Sequence, residues 1–284
     1  MERKPEWLKI KIDHRSQKVT NLLREKRLVT VCEEAKCPNR NECFSNKTAT
    51  FMILGHICTR NCLYCDVTSG RPDANVVDDS DQIVEAIDVM GLNYVVVTSV
   101  DRDDLPDGGA FQFVKTIEKV KAKGAQIEVL TPDFQFDYHA LKKVVDAKPD
   151  VYNHNIEAPR RIFKRVRKIG DYDGSLKFLQ QIKGFDPEMT TKSGLIVGMG
   201  ETKEEVFETL RDLRAADVDI VTIGQYLRPT KKQIEMVRYV HPDEFEEYRL
   251  YGLSLGFKEV YSGPFVRSSY HAAEVQAKAK AKAS

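Results

Sequence analysis

Residues 49–66 read ATFMILGHICTRNCLYCD, an apolar stretch that runs straight into three cysteines. The short apolar run is typical of a buried β-strand. Cys58, Cys62 and Cys65 follow it with three and two residues between them. This close spacing lets one loop wrap three thiolates around a cube of iron and sulfide, and thiolates are the usual ligands of cuboidal clusters. Three cysteines leave one iron of the cube with an open position, where a substrate or cofactor can bind.

The other three cysteines precede this strand, in VCEEAKCPNRNEC (31–43). Cys32, Cys37 and Cys43 are separated by four and five residues, and Pro38 stiffens the loop between them. This spacing predicts a second cluster site. Residues 66–284 contain no cysteine, so either an oxygen ligand completes this cluster or one iron is open. A hard oxygen ligand suits a cluster poorly, which should make the cluster easier to dismantle.

Other uses of the six cysteines explain the pattern less well. Zinc is one alternative, because His56 or His154 could complete a tetrahedral site, but structural zinc sites usually use two separated cysteine pairs. A redox pair at Cys62 and Cys65 has the right spacing, yet it leaves Cys58 without a role. A disulfide scaffold would spread its cysteines along the chain, and a reducing cytosol would not maintain the bridges.

Composition restricts the class of protein further. The chain has 284 residues, of which 42% are hydrophobic and 31% charged, with a net charge of +1. This length suits one large domain or two small ones, and the charge balance gives no sign of nucleic-acid binding. No run approaches the roughly 20 apolar residues that span a bilayer, and the charged N-terminus lacks a signal-peptide core. These features predict a cytoplasmic protein that binds neither nucleic acid nor membrane.

From Ala49 onward, short apolar runs alternate with amphipathic segments, a pattern typical of βα units around a parallel sheet. The predicted strands are 50–54, 94–99, 126–130, 150–155, 190–197 and 218–223, with a further short strand near 258–262. The predicted helices begin near Asp79, Gly109, Asp137, Pro159, Thr202 and Pro242, after a helix near 15–26. Glu205 follows Thr202, and Gln82 follows Asp79, at the spacing of a capping box.

Six strands fit either a doubly wound sheet or an incomplete βα barrel. In a barrel, reactive residues follow the carboxyl ends of the strands. Here cysteines follow the first strand, and polar or glycine-rich segments follow the second, fourth, fifth and sixth. We therefore expect a partial (β/α)6 TIM-type barrel over residues 49–262. Residues 1–48 would form an N-terminal extension with the first three cysteines, and residues 263–284 a C-terminal segment that ends in a frayed tail.

Several motifs together are similar to the lipoyl synthase family of the radical S-adenosylmethionine (SAM) superfamily. Cys58-x3-Cys62-x-Tyr64-Cys65 resembles the superfamily signature. The upstream cysteine triplet and RSSY at 267–270 narrow the resemblance to the one family. Other stretches that resemble it are TSVDRDDLPDGGA (98–110), VYNHNIE (151–157), SGLIVGMGET (193–202) and QYLRP (225–229).

The resemblance implies a specific reaction. The cluster at Cys58, Cys62 and Cys65 would bind SAM and cleave it to a 5′-deoxyadenosyl radical. The radical would remove hydrogen from an octanoyl chain attached to a lysine of a lipoyl carrier protein. The second cluster, at Cys32, Cys37 and Cys43, would be sacrificed to donate sulfur to C6 and C8. Radical cofactor chemistry is expected on physical grounds as well, because side-chain acids and bases cannot break an aliphatic C–H bond.

The resemblance also implies roles for single residues. Ser269, rather than Ser268, would complete the sulfur-donor cluster, although an ordinary hydrogen-bonded turn would explain this segment too. Tyr64 would line the SAM site or simply pack. Asn155 and Glu157 would bind the ribose of SAM or cap the next helix. Arg228 would bind substrate or face the surface.

Partners follow from the same reaction. The expected substrate is an octanoylated lipoyl domain or a glycine-cleavage H protein. The expected donors are a reduced ferredoxin or flavodoxin for electrons and a delivery protein for iron–sulfur clusters. Two other functions stay open at this point: a radical SAM enzyme that inserts sulfur into a small molecule, and an iron–sulfur carrier that catalyses nothing.

Overall fold

The computed structural model describes residues 4–9, 16–26, 28–45, 49–73, 75–76 and 78–281. Nine strands occur in these ranges: β1 Thr50–Ile53, β2 Ile57–Cys58, β3 Thr68–Ser69, β4 Tyr94–Ser99, β5 Gln126–Leu130, β6 Val151–Asn153, β7 Thr191–Val197, β8 Ile220–Gln225 and β9 Glu259–Gly263. The α-helices are α1 Ser16–Glu25, α2 Val31–Glu34, α3 Arg40–Ser45, α4 Ser80–Met90, α5 Ala110–Ala122, α6 Tyr138–Asp146, α7 Arg160–Val166, α8 Tyr172–Phe185, α9 Lys203–Ala215, α10 Pro242–Ser254 and α11 Ala272–Ala281. Single 3-10 turns occur at Glu6–Leu8 and Phe134–Phe136.

The chain divides into two compact units. The N-terminal unit contains residues 12–61 and 66–152, and the C-terminal unit contains residues 1–11, 62–65 and 153–284.

In the N-terminal unit the strand order is β1-β4-β5-β6. β1 and β4 pair in parallel with Thr50 opposite Val96, and β4 and β5 pair in parallel with Val96 opposite Glu128. The strands read as near-continuous apolar runs because both faces of a parallel sheet are covered. Val97 and Ile127 are fully buried, for example. The parallel arrangement makes the carboxyl ends of these strands share one edge.

In the C-terminal unit the strand order is β7-β8-β9, and both pairs are parallel. Leu195 lies opposite Ile223, and Ile223 lies opposite Ser262. The short strand expected near 258–262 is therefore a full member of the sheet. Among the described residues the sheet order contains seven strands, in place of the six counted from sequence.

The helix starts agree with the sequence predictions, with two exceptions. Thr202 and Glu205 form both bonds of a capping box at the start of α9. At α4, in contrast, Asp79 makes no side-chain capping bond, and the predicted partnership with Gln82 is wrong. Asp78 takes that role instead: its carboxylate accepts from the Ser80 backbone N–H at 3.1 Å.

The second exception is the helix predicted from Pro159, which is two helices. α7 ends at Val166, and α8 begins at Tyr172 with Asp171 as its N-cap, accepting from the Gly174 backbone N–H at 3.2 Å. Gly170 lies in the break, so the helical pattern of the sequence concealed a turn.

The tail expected to be frayed is helical as far as Ala281, and residues 282–284 lie outside the described residues. α11 reaches that residue, and its Val275 and Ala279 pack with Ile220 of β8 in a small buried cluster against Tyr261. In the described part of the chain, no helix is long and apolar enough to cross a membrane.

Candidate functional site

The triplet of Cys32, Cys37 and Cys43 lies on two short helices of the N-terminal unit and on the turn between them. Cys32 is in the first turn of α2, where the Thr30 hydroxyl caps the helix by accepting from the Glu33 backbone N–H at 3.3 Å. The Cys37 backbone N–H donates to the carbonyl of Cys32 at 3.1 Å. Cys43 is in α3. The turn after α2 thus brings the backbone of Cys37 back to Cys32.

Burial and the neighbouring thiols both act on the pKa values of Cys32 and Cys43. Burial raises the pKa of Cys32 to about 11, and the negative charge of Cys37 adds to that effect. Burial raises the pKa of Cys43 to about 12, and the charges of Cys32 and Cys37 add to it. Three thiolates here would repel one another in a poorly solvated place, and bound cationic iron removes that cost. The arrangement therefore fits a cluster.

The triplet of Cys58, Cys62 and Cys65 begins in β2, which contains Cys58. The Cys58 thiol donates to Asp101 Oδ2 at 3.6 Å, and its sulfur accepts from the Arg60 backbone N–H at 3.4 Å. Burial raises the pKa of Cys58 to about 11, and the Asp101 carboxylate adds to that effect. The first ligand candidate of the loop is thus fixed against the segment that follows β4.

Residues 58–65 form the cysteine loop, and its residues 62–65 belong to the C-terminal unit. The Leu63 backbone N–H donates to the carbonyl of Val166 at 2.8 Å, and the Leu63 carbonyl accepts from the Ile234 backbone N–H at 2.8 Å. The Gln233 side-chain amide donates to the carbonyl of Cys65 at 3.0 Å. The backbone around Cys65 is therefore held between the end of α7 and the segment after β8.

The six cysteines form no disulfide. Within the described ranges, no three His, Cys, Asp or Glu side chains are placed to share a single metal ion. Ligands of a cuboidal cluster do not share an ion, because each thiolate binds a different iron.

Tyr64, Asn155 and Glu157, predicted together from sequence, do meet in the C-terminal unit. Asn155 Nδ2 donates to Glu157 Oε1 at 3.0 Å, and the Tyr64 hydroxyl also bonds to Glu157. Burial raises the pKa of Glu157, although the Arg167 guanidinium opposes the shift. Burial, followed by the charge of Glu157, raises the pKa of Tyr64 well above its usual value.

The group formed by Tyr64, Asn155 and Glu157 contains a hydrogen-bond acceptor that is available to a ligand. Asn155 Oδ1 is buried and accepts no hydrogen bond from the described residues. A Cβ at position 194 would lie 2.6 Å from it, so Gly194 of β7 makes the space that this amide occupies. Buried polar atoms without a partner are rare in folded proteins. A hydroxyl donor of a bound ligand, such as the ribose of SAM, fits that need.

A tight turn follows β7. Gly198 and Gly200 have φ angles of +102° and +104°. Glu201 closes the turn, since its carboxylate accepts from the backbone N–H groups of Gly198 at 2.5 Å and Met199 at 2.9 Å. Met199 is fully buried in a cluster against which Tyr64 packs.

Arg228 lies in the segment after β8. Its Nε donates to the carbonyl of Gln233 at 2.9 Å, and its Nη2 donates to the carbonyl of Lys231 at 2.7 Å. These bonds shape the same segment that holds Cys65. Substrate binding by Arg228 stays a prediction.

The RSSY segment lies just after β9. The Tyr270 backbone N–H donates to the carbonyl of Arg267 at 3.0 Å, which makes the turn, and Ser268 and Ser269 in it are half-buried. A Cβ at position 224 would lie 2.0 Å from the carbonyl oxygen of Val266. Gly224 of β8 therefore allows the backbone at Val266 to approach this closely. Iron ligation by Ser269 stays a prediction.

Sequence reasoning missed two buried arginines. Arg60, inside the cysteine loop, is 3% exposed, and Arg167, beside Glu157, is 6% exposed. A signal was present for Arg167, because the glycine at 170 leaves room for it: a Cβ there would lie 2.8 Å from Arg167 Cδ.

Comparison with known proteins identifies the family. The radical SAM superfamily matches residues 52–213. A lipoyl synthase of Caldanaerobacter subterraneus subsp. tengcongensis is 53% identical over 272 residues, which cover 95% of this chain and 96% of the relative. The chain belongs to the lipoyl synthase family. A lipoyl synthase of Caldicellulosiruptor saccharolyticus is similarly close, 52% identical over 96% of this chain and 97% of its own length.

The fold has a counterpart among solved structures. The crystal structure of methylornithine synthase superimposes with a TM-score of 0.57 at 17% identity, over 85% of this chain and 73% of the other. This likeness confirms the α/β partial-barrel fold class.

The lipoyl synthase family also establishes the activity. The protein is a radical SAM enzyme that inserts sulfur into an octanoyl chain. It uses two [4Fe–4S] clusters and SAM, and its substrate is an octanoylated carrier protein. The family, activity and cofactors expected from the sequence are thereby confirmed.

Proposed function

We propose that Cys58, Cys62 and Cys65 hold the [4Fe–4S] cluster that binds SAM, and that the second cluster is held by Cys32, Cys37 and Cys43 with Ser269 as its fourth ligand. The observation that supports the second site is the local fold: α2 and α3 carry Cys32 and Cys43, and the turn between them brings the Cys37 backbone N–H to the carbonyl of Cys32 at 3.1 Å. When bound, the cofactors supply a 5′-deoxyadenosyl radical for hydrogen abstraction and sulfur for C6 and C8 of the octanoyl chain.

The residues around the loop of Cys58, Cys62 and Cys65 would bind and orient SAM. Asn155 Oδ1 would accept from a ribose hydroxyl of bound SAM, and Glu157 holds the Asn155 amide by accepting from its Nδ2. Tyr64 donates to Glu157 and packs against the cluster of Met199, which makes an apolar wall for the adenine. Arg167 favours the ionised form of the Glu157 carboxyl. These groups also exclude water, which protects a reactive radical.

We assign the domains by the cluster ligands and the barrel that they contain. Residues 1–48 carry the sulfur-donor cysteines, residues 49–262 form the radical SAM barrel, and residues 263–284 carry the RSSY serine. Arg228 is proposed to shape the substrate-facing segment after β8 through its two backbone contacts.

Partners and location are proposed from the chemistry. The carrier is a lipoyl domain or a glycine-cleavage H protein, the electron donor is of the ferredoxin or flavodoxin type, and a delivery protein restores the second cluster. Open-iron clusters and unbridged thiols require a reducing compartment. We therefore propose the cytoplasm.

Two triple variants test the cluster assignment. The chain, prepared without oxygen and reconstituted, should contain about eight irons, and replacing either cysteine triplet by alanine should leave about four. With an octanoylated carrier, the variant Cys32→Ala/Cys37→Ala/Cys43→Ala should still form 5′-deoxyadenosine but add no sulfur. The variant Cys58→Ala/Cys62→Ala/Cys65→Ala should form no 5′-deoxyadenosine. Retention of all iron in either variant contradicts the assignment.

A serine pair tests the fourth ligand. Ser269→Ala should lose iron from the second cluster and stop sulfur insertion, while SAM cleavage continues. Ser268→Ala is the matched control and should keep both activities. The reverse result would make Ser268 the ligand.

A further inference from the structure

Arg60 lies between Cys58 and Cys62 and is almost completely enclosed. It is 3% exposed, and its guanidinium contacts three carboxylates. Nε and Nη2 donate to the two oxygens of Asp103, both at 2.8 Å. Nη1 and Nη2 donate to the two oxygens of Asp133 at 2.7 and 2.6 Å, and Nη1 lies 3.4 Å from Asp101 Oδ1. Two bidentate pairs on one guanidinium fix both its position and its plane.

The backbone beside Arg60 is bound to the same segment. The Thr59 backbone N–H and hydroxyl both donate to the carbonyl of Asp101 at 3.0 Å. The Asp103 backbone N–H donates to the Thr59 hydroxyl at 3.1 Å. Together with the Cys58–Asp101 contact, these bonds join three consecutive residues of the cysteine loop to the end of β4.

Asp133 is presented by a strained turn. Phe134, Gln135 and Phe136 have φ angles of +47°, +54° and +60°, which L residues rarely adopt in succession. Such strain persists only where surrounding contacts enforce it. Here the Asp133 carboxylate accepts from the Gln135 backbone N–H at 3.0 Å, and the Gln135 side chain donates to the carbonyl of Asp103 at 3.1 Å.

The loop after β4 also packs onto this turn. A Cβ at position 108 would lie 3.2 Å from the Phe134 Cα, so Gly108 permits a close approach of the two backbones. Backbone strain and close packing therefore hold the Asp133 carboxylate against Arg60. The function proposed above gives Arg60 no role in binding or chemistry.

We propose that Arg60 is a positioning residue that, with Asp103 and Asp133, locks the Cys58 end of the cysteine loop so that the loop is preformed for the SAM-binding cluster. This inference rests on the proposed assignment of Cys58, Cys62 and Cys65. Arg60 touches neither iron nor SAM in this role. It determines how firmly the cluster is held, since groups that orient the ligands of a metal site control its affinity for the metal.

Arg102 supplies a matched control. It is also 3% exposed and also binds an aspartate in bidentate fashion, with two bonds of 2.8 Å to Asp104. Its remaining partners are the carbonyls of Leu54 and Asp73, and none belongs to the cysteine loop. Arg102 lies between Asp101 and Asp103 in sequence but makes a single bidentate pair with a different aspartate, so this pair can be weakened without removing a bond to the cysteine loop.

The test uses the full chain with Cys32, Cys37 and Cys43 replaced by alanine, so that only the SAM-binding cluster is present. Into this parent we would introduce Arg60→Lys, which keeps the charge but loses the double fork, or Arg102→Lys. After anaerobic reconstitution, iron release to a ferrous chelator is measured, together with the melting temperature of each iron-free chain. Arg60→Lys should release iron about 10-fold faster than the parent or more, and Arg102→Lys should match the parent. If Arg60 were purely structural, Arg60→Lys and Arg102→Lys would both lower the melting temperature of the iron-free chain. The two variants would then release iron at the same rate.

Several outcomes would overturn the inference. Equal release from Arg60→Lys and the parent excludes a positioning role. A parent that assembles no four-iron cluster overturns the cysteine assignment itself, and the inference with it. If Arg60→Lys does not fold, Asp103→Asn replaces it, because Asp103 is partly exposed and its loss removes only one of the two forks. Faster iron release from Asp103→Asn supports the lock, and release at the parent rate contradicts it.

Discussion

At the scale of single residues, the turn after β7 depends on glycine in two different ways. Gly198 and Gly200 both have positive φ angles. A Cβ at Gly198 would lie 2.2 Å from Gln225 Nε2 and 2.7 Å from the carbonyl oxygen of Arg238, whereas a Cβ at Gly200 would lie no closer than 3.4 Å to Val237. Backbone strain is therefore common to both positions, and steric conflict belongs to Gly198 alone.

This difference predicts unequal losses of stability. Gly200→Ala should reduce the free energy of unfolding by about 1–2 kcal/mol, from backbone strain. Gly198→Ala should reduce it by about 2–4 kcal/mol, because overpacking adds to the strain. Urea unfolding of the two iron-free variants would measure both. Equal losses would show that Gln225 and the Arg238 backbone move aside freely.

Asp79 gives a prediction about pH. Burial, together with the nearby Asp78 carboxylate, raises the pKa of Asp79 to about 6 from its usual 3.8. The folded chain therefore binds a proton more tightly than the unfolded chain does. The ionised carboxyl destabilises the fold fully above pH 6, and this cost disappears as the pH falls below 3.8.

Asp79→Asn should thus stabilise the chain at pH 7, by about 1–2 kcal/mol once solvent screening of this partly buried carboxyl is discounted. The gain should shrink as the pH falls from 6 toward 4. Asp78→Asn is the opposite control: despite some burial, bonds from Lys115 and Ser80 hold the pKa of Asp78 below its usual range, so its removal should destabilise. Denaturant midpoints between pH 4 and 7.5 would measure both, and a gain from Asp79→Asn that does not vary with pH would refute the account.

The residue scale also shows where sequence reasoning stops. Cysteine spacing and the family resemblance identified Tyr64, Asn155 and Glu157, which the structure brings together. Arg60 could not be recognised in the same way, because its partner Asp133 is 73 positions distant in sequence. Nothing local marks a carboxylate that is brought to an arginine by the fold.

At the scale of elements, helix starts were predictable where the capping residues are local. The Thr202 hydroxyl accepts from the Glu205 backbone N–H at 3.2 Å, and the Glu205 carboxylate accepts from the Thr202 backbone N–H at 2.8 Å. Both residues lie within one turn, so their spacing alone indicated α9. The break between α7 and α8 depends on room for the Arg167 side chain, which a periodic pattern does not record.

The capping box predicts a loss confined to the hydroxyl. Thr202→Ala should reduce the free energy of unfolding by about 1 kcal/mol, since a free N–H at the helix start loses its acceptor. Thr202→Ser keeps the oxygen and should differ from the wild type by only a few tenths of a kcal/mol. Chemical denaturation of the two variants would separate these values. An equal loss in Thr202→Ser would assign the effect to the methyl group.

At the scale of the whole molecule, the C-terminal helix was the least predictable part. Its sequence of alternating lysine and alanine looks unstructured, and its helical pattern is weak. α11 becomes stable by packing: Val275 is 1% exposed and Ala279 is 2% exposed, both against Ile220. Tertiary burial supplies most of a short helix's stability. The helix begins three residues after Ser269, so its docking also fixes where the RSSY turn ends.

Truncating Val275 should therefore affect both the fold and the second cluster. Val275→Ala removes buried methyl groups and should reduce the free energy of unfolding by about 1–3 kcal/mol, whereas Lys278→Ala on the exposed face should change it by less than about 0.5 kcal/mol. If Ser269 binds iron, a loosened α11 should also speed the release of the second cluster's iron, while 5′-deoxyadenosine formation continues unchanged. Iron release measured by chelator in the variant Cys58→Ala/Cys62→Ala/Cys65→Ala, with and without Val275→Ala, isolates that effect. A lower stability with no change in iron release would mean that α11 supports the sheet but does not hold the serine in place.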